Sequence, residues 1–226
     1  MKKLKNIKLS DWLVAITAFY IAGSVLQNIL AVKTFGTELI AITTGGTIIS
    51  WLVFACMDVI TEVWGKERAI KTFVASAIFN LVFNGICWIS ILLPGTSDFV
   101  QGSYSLVLGT GWRIAIASIT AFLLGNYINT LIMYVMRVKS KNENDTKGFM
   151  LRAILSTLFG QLVDNGLFYL LAFAPLGIAG TIENPWSLIG QLVLFTTGIE
   201  TIVEAIVSPL TAKFVRHLKI KKELKR

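Results

Sequence analysis

The stretch Asp58-Val59-Ile60-Thr61-Glu62-Val63-Trp64-Gly65-Lys66-Glu67-Arg68-Ala69 decides how this chain folds. It closes an apolar run of about twenty residues, the length that a helix needs to cross a membrane. Asp58 and Glu62 are four residues apart, so on a helix both carboxylates lie on one face, roughly 6 Å apart along its axis. The run Gly65-Lys66-Glu67-Arg68 then ends the helix and turns the chain back.

The two carboxylates of this stretch have two interpretations. A carboxylate that faces lipid is costly, so such residues usually point into the protein and mark functional sites. Alternatively, Asp58 and Glu62 form only a polar helix end that Lys66 or Arg68 holds. This stretch alone favours neither interpretation.

The composition places the chain in a bilayer. Hydrophobic residues make up 54% of its 226 residues and charged residues 15%, whereas a soluble domain is about a quarter charged. Several apolar runs reach about eighteen residues or more, which predicts several membrane spans rather than one anchor. We therefore predict an all-α polytopic membrane protein, one domain over residues 1–226, with a bundle of six transmembrane helices. The predicted spans are 10–32, 39–61, 69–93, 112–136, 152–175 and 186–208.

The basic residues predict the orientation of the bundle. Of the 21 Lys and Arg residues, all but Lys33 and Arg113 lie in the two termini or in the loops after the second and fourth spans. Cytoplasmic segments carry this excess, so both termini should be cytoplasmic. The formal charge of +8 lies between spans, which favours lipid headgroups over nucleic acid as the partner. Residues 139–145 and 94–111 are predicted to be loops, and residues 219–226 a solvated tail.

Polar residues within the spans recur at helical spacing. Residues three or four apart share one side of a helix, so each set should present one polar face to the bundle. We expect these faces to form a band from the midplane to the cytoplasmic half, where transporters commonly bind their substrates. The sets are Asp58 with Glu62, Asn80 with Asn84, Asn126 with Asn129, Gln161 with Asp164 and Asn165, Glu200 with Glu204, and Gln27 with Asn28.

The amides and the acids in these sets have different interpretations. Each asparagine taken singly is explained by interhelical hydrogen bonds. The carboxylates favour a function, because a structural hydrogen bond does not require a charge that costs about 3 kcal/mol or more in the bilayer. Protonation would remove much of that cost and would suit proton coupling. Phe159, Phe168 and Tyr169 lie near the Gln161 set and could stack on a planar ligand, although core packing explains each one alone.

Several chemistries are excluded by what the sequence lacks. It has no G-x-x-x-x-G-K-[ST] loop, no His/Cys set at metal-ligand spacing, and one histidine, His217, in the C-terminal tail. We therefore expect no enzyme activity and no cofactor or metal. Acids and amides on separate helices also favour an enclosed pocket over the ring of a channel.

At this point the chain resembles the queuosine precursor transporters, a six-helix vitamin uptake family. Residues 58–66 resemble the hallmark motif of the family. One such segment alone would be weak evidence of a resemblance, but several segments in order at the family's spacing are specific evidence. Glu200 stands where the family often has lysine, and Trp64 replaces a tyrosine. The other matching segments are Asn28–Lys33, Arg113–Asn129, Arg152–Phe168 and Glu204–Pro209.

The resemblance implies a secondary-type importer in the plasma (inner) membrane. Its substrate would be a 7-deazaguanine for tRNA modification, such as 7-cyano-7-deazaguanine, its aminomethyl form or queuine. A purine-like edge suits carboxylates and amides, and aromatic rings could cover its flat face. The predicted substrate-binding residues are Asn28, Lys33, Asp58, Glu62, Asn126, Asn129, Gln161, Asp164, Asn165, Phe168 and Glu204.

Two other functions remain open at the level of sequence. One is a substrate-capture subunit of an ATP-driven importer, which could dock its energising partner on the small residues of the 18–22 segment. The other is a membrane scaffold without a ligand. The sequence decides neither the coupling ion nor whether the protein is a homodimer.

Overall fold

The computed structural model of this protein describes residues 8–31, 33–37, 40–109, 112–140, 146–173 and 185–223. The described residues form seven helices and one two-stranded hairpin. Six of the helices, all except α4, are long and apolar enough to cross a membrane, which confirms the predicted all-α bundle of six spans. The elements are α1 Leu9–Leu30, β1 Thr34–Gly36, β2 Ala41–Thr44, α2 Thr47–Trp64, α3 Lys66–Leu92, α4 Asp98–Leu108, α5 Trp112–Lys139, α6 Thr146–Phe173 and α7 Pro185–Glu223.

Apolar side chains lie on the outside of the bundle and polar ones inside, as a lipid environment requires. On α3, for example, Ile78, Phe79 and Ile86 are exposed. Helix α2 is the most buried of the spans and packs against α1, α3, α5 and α7. Its carboxylates are therefore enclosed by other helices rather than by lipid.

A hairpin precedes α2, so the prediction that the second span begins at residue 39 is wrong. Strands β1 and β2 pair antiparallel, with Thr34 opposite Thr44, and α2 begins only at Thr47. The β-branched run Ile42-Thr43-Thr44 favours an extended strand over the helix that its hydropathy suggested. We call the end of the bundle that carries this hairpin the hairpin side, and the opposite end the terminal side.

The predicted turn at Gly65 is present on the terminal side. Gly65 adopts a φ of 93°, a region that favours glycine, and its N–H donates to the carbonyl oxygens of Ile60 and Thr61 at 3.2 and 3.0 Å. Helix α3 starts at the next residue. The two helices therefore meet in a single-residue connection.

The predicted loop over residues 94–111 contains a helix instead. In α4, Ser97 provides an N-terminal cap, because its Oγ accepts from the N–H of Val100 at 3.3 Å. Tyr104 also bonds to Ser90 of α3 through their hydroxyls, 2.8 Å apart. The predicted loop over residues 139–145 lies largely outside the described residues.

Helix α7 continues far beyond the predicted end of the sixth span at residue 208. Pro209 lacks an N–H and leaves the carbonyl of Ala205 without its helical donor. The Ser208 hydroxyl donates to that carbonyl at 3.2 Å, and the helix runs on to Glu223. The prediction of a solvated tail is wrong for Lys219, which is buried in the bundle, whereas the next residue, Ile220, is exposed.

The start of α1 lies beside the end of α7. The rings of Trp12 and Phe214 meet edge to face, with centroids 5.2 Å apart. Both ends of the described chain are thus on the terminal side, as six spans require. The remaining helix ends differ from the predicted ones by up to six residues, the largest difference being the start of α6 at Thr146.

Candidate functional site

A cavity lies among α1, β2, α5, α6 and α7, toward the hairpin side. It encloses about 530 Å³ of empty space, part of which is open to solvent. Its lining residues include Ser24, Gln27, Asn28, Thr44, Thr47, Ser118, Phe122, Asp164, Asn165, Phe168, Tyr169, Thr196 and Glu200.

A hydrogen-bond network on three helices holds Asn28 at the cavity. The Asn28 amide Nδ2 donates to Asn80 Oδ1 of α3 at 2.9 Å, and its Oδ1 accepts from the Ser118 hydroxyl of α5 at 3.1 Å. Asn80 in turn donates to the Ser24 hydroxyl at 2.9 Å. The Asn28 side chain is therefore oriented before any ligand binds.

Asn165 orients the Glu200 carboxylate in a similar way, through hydrogen bonds. Its Nδ2 donates to Glu200 Oε2 at 2.9 Å and to Thr197 Oγ1 at 3.2 Å, with a longer contact of 3.4 Å to Gln161 Oε1. Glu200 is 5% exposed. The amide thus ties α6 to α7 and fixes one carboxylate in the cavity wall.

Asp164 lies where α5 and α6 are closest. A Cβ added at Gly125 would lie 2.6 Å from the Asp164 Cβ, and one at Gly160 would lie 2.8 Å from the Asn129 Cβ. Only glycine permits this approach. Asp164 lines the cavity, and within the described ranges its carboxylate makes no hydrogen bond or ion pair that would occupy it.

Aromatic rings provide the apolar part of the wall. Phe168 and Tyr169 meet edge to face, with centroids 5.2 Å apart, and Phe122 packs near Tyr20 at 6.1 Å. The Tyr169 hydroxyl also bonds to Thr196 Oγ1 at 3.3 Å. The cavity therefore combines two carboxylates, oriented amides and ring faces, which suits a flat polar heterocycle.

A second buried polar cluster lies on the terminal side, around Glu62. Glu62 Oε1 accepts from Lys219 Nζ at 2.6 Å and from Arg152 Nη2 at 2.9 Å, and Arg137 Nε lies 3.9 Å away. Glu62 is fully buried. These cations come from α5, α6 and α7, so the cluster joins four helices. Of the two partners that the sequence offered, Lys66 instead lies 5.5 Å from the Tyr127 ring and Arg68 is exposed.

Between the cavity and that cluster lie Asp58 and Glu204. The Asn129 amide donates to Asp58 Oδ1 at 3.1 Å, and the Asp58 charge interacts with those of Glu204 and Glu62. Asp58, Asn129 and Glu204 are all at most 1% exposed. None of the three lines the cavity.

The eleven residues predicted to bind substrate thus fall into five places. The cavity is lined by Asn28, Asp164, Asn165 and Phe168. Just behind its wall lie Gln161, which contacts Asn165, and Asn126, which accepts from the Tyr20 hydroxyl at 2.8 Å. Farther away are Asp58, Asn129 and Glu204, then Glu62 in its ionic cluster, and Lys33, which is exposed over the Phe35 ring at 5.3 Å.

The predicted set omitted Glu200, Ser118, Tyr169 and Thr196, which line the cavity. The spacing of Glu200 and Glu204 placed both acids on one face of α7. That spacing was reason enough to include Glu200 in the predicted substrate-binding set. Ser118 and Thr196 carry no such signal, because single hydroxyl residues are common in spans. The polar side chains also extend beyond the predicted band, since the cavity lies toward the predicted outer side.

The comparisons with known proteins agree with this architecture. Residues 44–214 match the family model described as "Putative vitamin uptake transporter". The chain is also similar to a protein of Bacillus subtilis (strain 168) described as "Probable queuosine precursor transporter", with 29% identity over 156 residues, 67% of this chain. The match spans 65% of that relative, just under two thirds of its length. No solved structure matches the chain significantly. Because the family model covers well over half of its residues, this multi-pass membrane protein belongs to the vitamin uptake transporter family.

Proposed function

We propose that this protein is a secondary-type importer of a queuosine precursor, a 7-deazaguanine, in the plasma membrane. The observation that carries the proposal is the cavity between α1, α5, α6 and α7, where Asp164 and Glu200 face the same space as Phe122 and Phe168. The description of the Bacillus subtilis relative supports the substrate class.

The donor and acceptor pattern of the cavity suits a guanine-type edge. Such an edge presents a ring N–H and an amino group side by side, and a carboxylate accepts both. Asp164 is the best candidate, because its carboxylate has no competing partner in the described ranges, whereas Glu200 already accepts from Asn165. The second N–H of the Asn28 amide could donate to the ring carbonyl, since the first bonds Asn80.

The same pattern predicts which bases are rejected. A 7-deazaadenine lacks the ring N–H and has an acceptor nitrogen in its place, so it would leave the Asp164 carboxylate facing a lone pair. Sites built around such hydrogen bonds discriminate strongly against analogues that lack the donor. Ring faces such as that of Phe168 do not discriminate, because both bases are flat.

The direct test is equilibrium binding of radiolabelled 7-cyano-7-deazaguanine to the purified protein, with 7-deazaadenine as competitor. Asp164→Asn should weaken binding about 10- to 100-fold, because a hydrogen bond to a charged group is worth about 1.5–3 kcal/mol. Asp98→Asn is the matched control, since Asp98 is exposed in α4. Unchanged binding by D164N, or equal competition by the adenine analogue, would contradict the assignment of the cavity.

The mode of transport needs a separate test. We expect uptake when this chain alone is expressed in a strain that cannot make queuosine and has no partner ATPase. Uptake that requires a co-expressed ATPase would replace the secondary-type importer with the substrate-capture subunit. The absence of any binding would instead support the scaffold.

A further inference from the structure

Asp58 and Glu204 form a buried acidic pair that the substrate cavity does not use. Asp58 is 0% exposed on α2 and Glu204 is 1% exposed on α7. Asp58 lies six residues before Trp64, the last residue of α2, or about 9 Å along the helix axis, which is well inside the span. The pair is therefore within the membrane region, between the cavity and the Glu62 cluster.

The oxygen atoms of this pair are mostly without partners. Asp58 Oδ1 accepts from the Asn129 amide, but Asp58 Oδ2 and both carboxylate oxygens of Glu204 have no hydrogen-bond partner in the described structure. The Oδ1 atom of Asn129 is also unpaired. Buried carboxylate oxygens are normally hydrogen-bonded, so these atoms indicate a ligand that donates to them.

The charged groups around the pair do not neutralise its negative charge. The charged groups that interact with Asp58 are Glu204 and Glu62, both of them acids. Arg137, Arg152 and Lys219 form ion pairs with Glu62, and in the described part of the chain neither Asp58 nor Glu204 has a cation within ion-pair distance. The Tyr20 phenol of α1 interacts with Asp164 and Cys56, and Asp164 and Glu200 line the cavity.

Two neighbouring carboxylates cannot both ionise at low cost in an apolar bundle. We infer that Asp58 and Glu204 form the coupling-ion site of the transporter and that the ion is a proton. A proton added to Asp58 makes a carboxylic acid, whose O–H can donate to the unpaired Oδ1 of Asn129, the amide that already bonds Asp58. One proton thus removes one charge and supplies the missing donor. This inference rests on the proposed function, and it assigns to that transport a site distinct from the substrate cavity.

The geometry connects the pair to both neighbouring sites. Glu204 and Glu200 are four residues apart on α7, about 6 Å along the axis, and Glu200 lines the cavity. Asp58 and Glu62 have the same spacing on α2, and Glu62 reaches the ionic cluster on the terminal side. Acidic side chains therefore follow one another from cavity to cluster, as in proton relays of other membrane proteins.

The first test asks whether a proton is bound, and it needs no substrate. Infrared spectra of the purified protein at neutral pH should contain the C=O stretch of a protonated carboxylic acid. Asp58→Asn or Glu204→Gln should reduce that band in the wild-type-minus-variant difference spectrum, whereas the exposed control Glu67→Gln should not. Difference spectra for D58N and E204Q identical to that of E67Q would overturn the inference, whether or not the protein binds a deazaguanine.

The second test uses proteoliposomes and radiolabelled 7-cyano-7-deazaguanine. With one proton per substrate, an inward gradient of one pH unit should support about tenfold accumulation. D58N and E204Q should lose this accumulation but still exchange internal for external substrate, whereas D164N should lose both. Accumulation by D58N and E204Q equal to wild type, or wild-type accumulation that follows sodium instead of pH, would overturn the inference. If wild type neither binds nor exchanges the base, it is the proposed function that fails, and the infrared test still decides on the proton.

Discussion

Replacing Glu62 with glutamine should destabilise the protein more than any other isosteric change on α2. The carboxylate of Glu62 is fully buried and lies 2.6 Å from Lys219 Nζ and 2.9 Å from Arg152 Nη2. In Glu62→Gln the side chain keeps its shape and a carbonyl oxygen that can accept at the Oε1 position, but it loses the negative charge that compensates both cations. Two buried cations then face each other without a counter-charge.

The expected magnitude follows from this geometry. Removing one partner of a buried ion pair costs about 3–5 kcal/mol, because the remaining charge stays buried and uncompensated. Arg137, 3.9 Å from Glu62 and partly exposed, adds little. For a chain of this size, 1 kcal/mol corresponds to about 2–4 °C, so the melting temperature should fall by roughly 6–20 °C.

Thermal unfolding of the purified protein in detergent is the assay. Glu67→Gln is the control, since Glu67 is exposed at the start of α3 and should change the melting temperature little. In a double variant, Lys219→Met should recover part of the loss caused by E62Q, because it removes one of the stranded cations. A melting temperature of E62Q equal to that of E67Q would refute the reasoning that α7 is held by this cluster.

Two further predictions concern the cavity wall. Asn165→Leu should lower the affinity for 7-cyano-7-deazaguanine and destabilise the protein by about 1–3 kcal/mol, because it leaves Glu200 buried without its amide donor; unchanged binding and melting would contradict this. Gly125→Ala should weaken binding by displacing Asp164, whose Cβ would lie 2.6 Å from the new methyl group, whereas Gly85→Ala, with open space around it, should stabilise α3 by about 0.5–1 kcal/mol. Equal binding by the two alanine variants would argue that the α5–α6 contact does not position the acid.

Local sequence determined the parts of this fold that depend on neighbours along the chain. The lengths of the apolar runs predicted six spans, and Gly65 predicted the turn between α2 and α3, because only glycine adopts its φ readily. The spacing of Asp58 with Glu62, and of Glu200 with Glu204, correctly placed each pair on one face of its helix. The hydropathy pattern gave a wrong prediction before α2, because the β-branched residues there prefer an extended strand although their hydropathy suggested a helix.

Only the tertiary structure decided which polar faces share a space. Periodicity specifies the face of a helix, but it does not specify how each helix is rotated or shifted against the others. Glu62 therefore looked like a ligand-binding acid until Lys219, 157 residues later in the chain, was found beside it. Asp164 and Glu200 line one cavity because α6 packs against α7, and the glycines of α5 and α6 bring Asp164 close to α5. Such distances arise from packing between segments remote in sequence, which no single segment encodes.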